Sequence, residues 1–264
     1  MTGIPGQPAL PTFLSRGAPE AQALVLLHGI GSTSLGWHGQ LNAFPGRRVL
    51  AWNAPGYGES DPLPSAQPLA QDYAGALLAL LDSEGIRETA LVASSWGTPI
   101  AIALAVLQPA RIKHLILSGP SAGYGALPSH QRSELLTARG DRARALGISA
   151  MLEQDAPRLV ASGLHAAGRQ QLILARQGVT LDGYLQALHA LAAADAPSGL
   201  RQLACPALIV YGEQDAIAPP PEHALRLAEA MPSAQLHAFP QCGHLPHLEH
   251  PERFNDLVEA FIKS

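Results

Sequence analysis

Cysteine is scarce: Cys205 and Cys242 are the only two in 264 residues, too few for a disulfide framework. Charge is sparse as well, with 14% charged residues and a formal net charge of −4. The closest basic pair, Arg47-Arg48, is too short to form a patch, so nothing here points to a nucleic-acid partner or an anionic membrane surface. Apolar runs such as IAIALAVL stop far short of the roughly 20 residues that a membrane span needs. The N-terminal stretch MTGIPGQPALPTF lacks a basic segment followed by an apolar one, so no export signal is expected and a cytoplasmic location is. What the chain does have is 47% hydrophobic residues. That suits one large packed core, with or without an insertion.

Apolar segments of two periods alternate along the chain. Residues 1–19 read as a loose Pro- and Gly-rich lead with a short edge strand. ALVLLHG (23–29) and RVLAWN (48–53) are continuous apolar runs that suit strands buried on both faces. QPLAQDYAGALLALLDSEG carries Leu69, Tyr73, Ala76, Leu77, Leu80 and Leu81 at helical spacing and closes at Gly85. TALVAS, HLILSG, ALIVYG and QLHAFP repeat the strand pattern, and GTPIAIALAVLQP reads as a helix stopped before Pro109. Strands separated by helices imply parallel crossovers, hence an α/β fold with a mostly parallel central sheet flanked by helices. From 121 to 203 the rhythm breaks into helical patterns alone. The expected organisation is a core of residues 1–120 and 204–264 with a helical insertion, 121–203.

LVASSWGTPI places Ser94 and Ser95 where a strand turns into a helix. A serine nucleophile at such a turn needs small residues two before and two after it, because the turn presses neighbouring backbones together. Ser94 would be flanked by Val92 and Trp96, and Ser95 is flanked by Ala93 and Gly97. Size therefore selects Ser95. The bland alternative is two helix-capping serines. The helix beginning at Trp96 directs its free N–H groups at charge developing on a substrate oxygen. HGIGS (28–32) leaves backbone amides at another strand end, so Ile30 and Trp96 are the expected oxyanion donors, with Gly29, Ile30 and Trp96 against the substrate and the Trp96 indole as a pocket wall.

Eleven histidines are available as a base. His244 follows Gly243 just beyond QLHAFP, at the same end of the sheet as Ser95. His247 and His250 flank a proline, where a solvated or capping role is expected. Their spacing with His244 raises a metal reading, but Pro246 interrupts any regular helix and no outside Cys/His cluster completes a site. Asp215 lies three residues past Gly212 in ALIVYGEQDAIAPP, placed to orient the imidazole; its bland role is a helix cap. The order Ser95, Asp215, His244 is the order of the triad on this sheet type.

HGIGSTSLGW, AWNAPGYGESD, VASSWGT, ARIKHLILSGP, LIVYGEQDAIAPP and CGHLPHLEHPERF together resemble the α/β-hydrolase superfamily, from about Ala23 onward. The resemblance implies an α/β-hydrolase fold with a helical cap inserted after the sixth strand. The segment YLQALHALAAADAPSGLRQLACPALIVYGEQD is similar to the 3-oxoadipate enol-lactonase-like group. That likeness implies a serine esterase or lactonase acting on a small ester or lactone, with no cofactor and no metal. Ala93 stands where relatives usually carry Gly, Ser94 where His, Tyr or Leu is frequent, and Asn53 where Asp is usual. A C–C bond hydrolase of meta-cleavage products is the alternative. That branch usually carries Gly-Pro in the oxyanion loop, which HGIGSTS lacks, and suggests a cap arginine for a carboxylate. Arg139, Arg144, Arg169 and Arg176 are available, each with surface salt-bridging as its expected role. A non-catalytic ligand-binding protein on the same scaffold is the third reading. Oligomeric state is not written in these spacings.

Overall fold

The structure is a computed structural model that describes residues 9–264. Residues 1–8 of the Pro- and Gly-rich lead lie outside the described residues. Seven strands form one sheet: β1 (Phe13–Arg16), β2 (Ala23–Leu27), β3 (Arg48–Trp52), β4 (Thr89–Ser94), β5 (Ile112–Ser118), β6 (Ala207–Gly212) and β7 (Gln235–Phe239). Their spatial order is β1-β3-β2-β4-β5-β6-β7. Among the described residues only β1 runs antiparallel within the sheet, pairing Phe13 with Trp52 at the edge. The chain moves from β2 outward to β3, then returns to place β4 on the other side of β2. That reversal opens a crevice at the carboxyl ends of β2 and β4, the usual place for a ligand in an open α/β sheet.

The continuous apolar strands are buried on both faces, and their alternate residues feed two cores. Val25, Leu27, Leu91, Ala93, Leu115 and Ile209 face one side. There they meet α1 (Ala70–Ser83) through Tyr73 and Leu77, α2 (Gly97–Leu107) through Ile100 and Leu104, and α8 (Ala224–Ala230) through Leu227. Leu24, Leu26, Val92, Ile116 and Leu208 face the other side. That side is covered by Trp37, Leu41 and Phe44 and by α10 (Pro251–Lys263), which buries Phe254, Val258 and Phe261 along one stripe. α9 (Pro246–Glu249) is a single short turn ahead of α10.

Between β5 and β6 run five helices: α3 (Ser129–Leu146), α4 (Ile148–Leu159), α5 (Ala166–Leu174), α6 (Leu181–Ala193) and α7 (Ala196–Leu200). The helical run thus follows the fifth strand of the described residues. The sixth strand that the resemblance implies ahead of the insertion is not among the described residues, where five strands precede it. The two ends of the run are zipped together: Gly125 N–H donates to Ala194 O at 2.7 Å and Ala196 N–H to Ala122 O at 3.0 Å. Its middle rests on the core, where Thr33 N–H donates to Ala175 O at 2.8 Å and Gly58 N–H to Gly178 O at 2.8 Å. The short α7 and α9, each with a proline in its first two residues, are too short for sequence periodicity to distinguish them from loop.

Candidate active site

β4 ends at Ser94, and Ser95 turns the chain into α2 with φ at +52°. Among the described residues only Ser95 and Gln241 are non-glycine residues with positive φ. Such a conformation costs on the order of 1–3 kcal/mol and persists only where the surroundings hold it. Here they do: Ser95 N–H donates to Ser118 O at 3.1 Å, and Ser95 O accepts from Thr98 N–H at 3.0 Å. The small flanks have the predicted reason. A Cβ on Gly97 would sit 3.1 Å from Leu27 Cβ and 3.2 Å from His28 O, tighter than ordinary contact, so a side chain there would push α2 away from β2. Ser94 stays in the strand, buried, with an unpartnered Oγ.

Across the crevice, His28 fixes the loop after β2. Its Nδ1 lies 2.9 Å from Gly29 O and its Nε2 lies 3.1 Å from Ala54 N. Ala54 N–H can only donate, so Nε2 accepts and Nδ1 carries the proton. Burial lowers the pKa of His28 to about 4, which keeps it in this neutral tautomer at pH 7. Gly29 O also accepts from Ser32 N–H at 3.0 Å. In a trans peptide the Ile30 N–H points opposite to that pinned carbonyl. The Tyr57 hydroxyl, donating to Ile30 O at 2.9 Å, fixes the next peptide. Among the described residues neither Ile30 N–H nor Trp96 N–H has a hydrogen-bond partner. Two fixed, free donors near one serine can stabilise an oxyanion.

His244 comes from the loop after β7 and Asp215 from the loop after β6. Asp215 Oδ2 lies 2.7 Å from His244 Nδ1, with both side chains buried. Asp215 Oδ1 accepts from Ile217 N–H and Ala218 N–H, each at 2.8 Å. Burial opposes ionisation of Asp215, but the bonds from His244 and these two amides outweigh it and hold the carboxyl below its usual range. With Nδ1 occupied, Nε2 is the nitrogen left to exchange protons. Ser95, His244, Gly29 and Ile30 line one pocket. Among the described residues no hydrogen bond joins Ser95 Oγ to His244.

The pocket's other walls were not all foreseen. Trp96 does not line it; the indole is fully buried, edge-on to Tyr73 at 4.9 Å and 5.5 Å from Tyr57. Trp96 heads α2 with its indole on the core side of the turn. The wall is made instead by Trp37, with His247 stacked on it at 4.2 Å. His247 is thus neither solvated nor a cap: burial, and His244 secondarily, lower its pKa to about 3. His250 is the residue ahead of α10, packed near Phe239 at 5.8 Å. The helical run supplies Met151, Leu152, Leu172, Tyr184, Asp155 and Arg139. Asp155 is paired with Arg142 at 2.8 Å. Arg139 donates to the Tyr184 hydroxyl at 3.2 Å and makes no ion pair among the described residues.

The other three arginines behave differently. Arg144 pairs with Asp141 on the surface at 3.3 Å, Arg169 donates to Leu164 O, and Arg176 has a buried, unpartnered Nη2. Asn53 does what its position requires with an amide: Oδ1 accepts from Ser34 N–H and Nδ2 donates to Thr12 Oγ1, each at 2.9 Å. Two further supports escaped sequence reasoning. Gly119, with φ at +49°, leaves no room for a Cβ beside the His244 carbonyl. His223 Nδ1 accepts from Ala122 N–H at 3.0 Å, bracing the root of the helical run beside Asp215. The Gly-Pro after β5 was the available signal for the first; the second is a contact between distant segments with no local pattern.

Known proteins resemble this chain along its length. The family described as alpha/beta hydrolase fold matches residues 22–251. A 2-hydroxy-6-oxononadienedioate/2-hydroxy-6-oxononatrienedioate hydrolase of Burkholderia vietnamiensis is 32% identical, over 92% of this chain and 87% of that protein. A thermophilic esterase from Thermogutta terrifontis superposes with a TM-score of 0.86 at 26% identity, covering 99% of this chain and 96% of that one. The enol-lactonase of Burkholderia xenovorans LB400 shares the fold, with a TM-score of 0.85 at 24% identity and 96% coverage of each chain. Matched by that family over most of its length, the chain belongs to the alpha/beta hydrolase fold family.

Proposed function

We propose that the protein is a serine hydrolase that cleaves a carbon–carbon bond beside a ketone in a small substrate bearing a carboxylate, of the kind named for its curated relatives. The observation that carries this reading is Arg139, a guanidinium without an ion-pair partner in the pocket that holds Ser95 and His244. Asp155 shares that pocket, but Arg142 already balances its charge. Among the described residues an anionic substrate end therefore has one free cation to meet in this pocket, and a dienedioate supplies such an end. In this reading 1–120 and 204–264 form the core and 121–203 a lid over the site.

In the proposed reaction His244 Nε2 takes the Ser95 proton while Oγ adds to the ketone carbon. The Ile30 and Trp96 N–H groups hold the resulting oxyanion. As the carbonyl reforms, the C–C bond breaks, its electron pair goes to the leaving carbon, and His244 returns the proton there. Water, deprotonated by His244, then adds to the acyl group on Ser95; as that adduct collapses the bond to Oγ breaks, His244 returns the proton to Oγ, and the second acid is released. Asp215 holds the imidazole and its charge throughout without taking the proton.

A second reading, hydrolysis of a small ester or lactone by the same groups, is favoured by HGIGSTS lacking Gly-Pro and by the likeness to the Thermogutta esterase. Purified protein offered 2-hydroxy-6-oxononadienedioate and p-nitrophenyl butyrate separates the two. The dienedioate should be the better substrate, and Arg139→Gln should raise its KM about tenfold, near 1.4 kcal/mol, while sparing the ester. Ester turnover without dienedioate turnover overturns the first reading in favour of the second. Folded protein that hydrolyses neither and resists fluorophosphonate labelling is a binding protein.

A further inference from the structure

Glu249 touches none of the reacting atoms, yet its carboxylate gathers more backbone donors than any other side chain around His244. It ends α9 and aims at two segments at once. Gly243 N–H is 3.0 Å from both of its oxygens, and Leu245 N–H is 3.3 Å from Oε1. Ala161 N–H, in the helical run just past α4, is 2.7 Å from Oε2. Gly243 and Leu245 are the residues on either side of His244. The N–H of His244 itself also leaves its loop for the helical run, donating to Leu159 O at 2.9 Å. The two segments touch so closely that a Cβ on Gly243 would lie 2.8 Å from Ala161 N and 2.8 Å from Val160 Cα.

Three successive amides of the histidine loop thus end on Glu249 or on residues 159–161. Only an ionised carboxylate accepts at both oxygens. A glutamine there would turn its NH₂ group toward an N–H in either orientation. Bonds to the ionised acceptor are also shorter and stronger than neutral ones.

We propose that Glu249 is a positioning residue that locks the 159–161 end of the helical insertion to the backbone around His244, so that the imidazole faces Ser95 only while that end is docked. The inference rests on His244 being the base of the proposed hydrolysis. Its consequence is that opening the insertion at this corner disarms the base, and closure on substrate rearms it.

Full-length Glu249→Gln, with Glu249→Asp as the conservative variant, tests this by amide hydrogen exchange and by kinetics on p-nitrophenyl butyrate. Expected for Glu249→Gln is faster exchange, by about tenfold or more, in peptides covering 159–165 and 241–248 together. Its kcat should fall about 10- to 100-fold with KM held within about threefold, the size of effect that outer-shell partners of a site carry. Glu249→Asp should recover part of both. Exchange that quickens in 241–248 alone overturns the coupling, and a kcat within about twofold of wild type despite loosening of both segments overturns the positioning role. Should Glu249→Gln fail to fold, Ala161→Pro removes the insertion's donor and sets the ring Cδ against Glu249 in its place, parting the two segments from the other side; Val160 before it is already extended, as a residue preceding proline prefers. The same paired loosening is expected there, and its absence overturns the proposal. If the wild type turns over neither p-nitrophenyl butyrate nor 2-hydroxy-6-oxononadienedioate, the hydrolase reading has failed while the exchange measurement still decides the lock; if it turns over the dienedioate alone, that substrate carries the kinetics.

Discussion

At the scale of single residues the two adjacent serines separate cleanly. Ser95 Oγ sits at a strained turn beside two free N–H donors, and Ser94 Oγ is buried in strand β4 with no partner. Ser95→Ala should lower turnover by roughly 10⁴ or more, as loss of a nucleophile does in a cooperative triad. Ser94→Ala removes a hydroxyl that already makes no hydrogen bond, so turnover should stay within about threefold and stability should hold or rise slightly. Fluorophosphonate labelling followed by mass spectrometry of the 91–100 peptide reads both variants. Label remaining at full stoichiometry in Ser95→Ala would place the nucleophile elsewhere. Trp96 shows why neighbours of a nucleophile need separate treatment. Among the described residues its N–H has no hydrogen-bond partner, while its indole packs against Tyr57 and Tyr73 in the core. Trp96→Ala should therefore cost stability first, about 3–5 kcal/mol for a buried Trp truncation, read as a lower urea midpoint.

Elements meet at the carboxyl ends of the strands, and glycines set how closely. Gly119 ends β5 with φ at +49° and sits against the backbone of the His244 loop. Gly119→Ala combines an unfavourable φ with a backbone clash, so the β7 loop must move. We expect a loss of at least about 2 kcal/mol and a drop in kcat larger than any change in KM. Gly85 is the contrasting case: its φ is +66° but nothing lies within 4 Å, so Gly85→Ala should pay only the conformational cost, on the order of 1 kcal/mol, with kcat unchanged. Urea titrations and steady-state kinetics on the pair distinguish crowding from conformation. This contrast also marks what was legible beforehand. The strands, α1, α2, α6 and the turn at Ser95 follow from local period and local size, and those are written in consecutive residues. Asp215 and His244 could be placed because both stand just past apolar runs at one end of the sheet. Gly119 against His244, His247 on Trp37 and Glu249 on Ala161 join segments far apart in the chain, so no spacing announces them. The pocket wall built by Met151, Leu152 and Leu172 depends on how α4 and α5 lie over the sheet, which periodicity does not specify.

For the molecule as a whole, buried histidines tie folding to pH. His28 and His247 are neutral in the folded state because burial lowers their pKa to about 4 and about 3. In the unfolded chain both return to about 6.5. Between those values the unfolded chain binds two protons that the folded one refuses, so stability is complete above about pH 6.5 and declines as pH falls toward 4. Two protons give a slope of about 2.7 kcal/mol per pH unit, comparable within a few units to the 5–15 kcal/mol that holds an average domain together. His114, His223 and His237 are shifted down by burial too and act in the same direction. Asp215, held below its usual range, acts in the same direction at lower pH, where its unfolded counterpart is protonated before the folded one. The urea midpoint should therefore be flat from pH 7 to 8 and fall steeply between pH 6 and 4.5. His247→Gln, which keeps a polar side chain on Trp37 but cannot titrate, should flatten that fall by about one proton's worth of slope. A midpoint that does not move between pH 7 and 5 would mean these imidazoles reach solvent, and the closed wall of Trp37 and His247 beside the Asp215–His244 pair would have to be an open one.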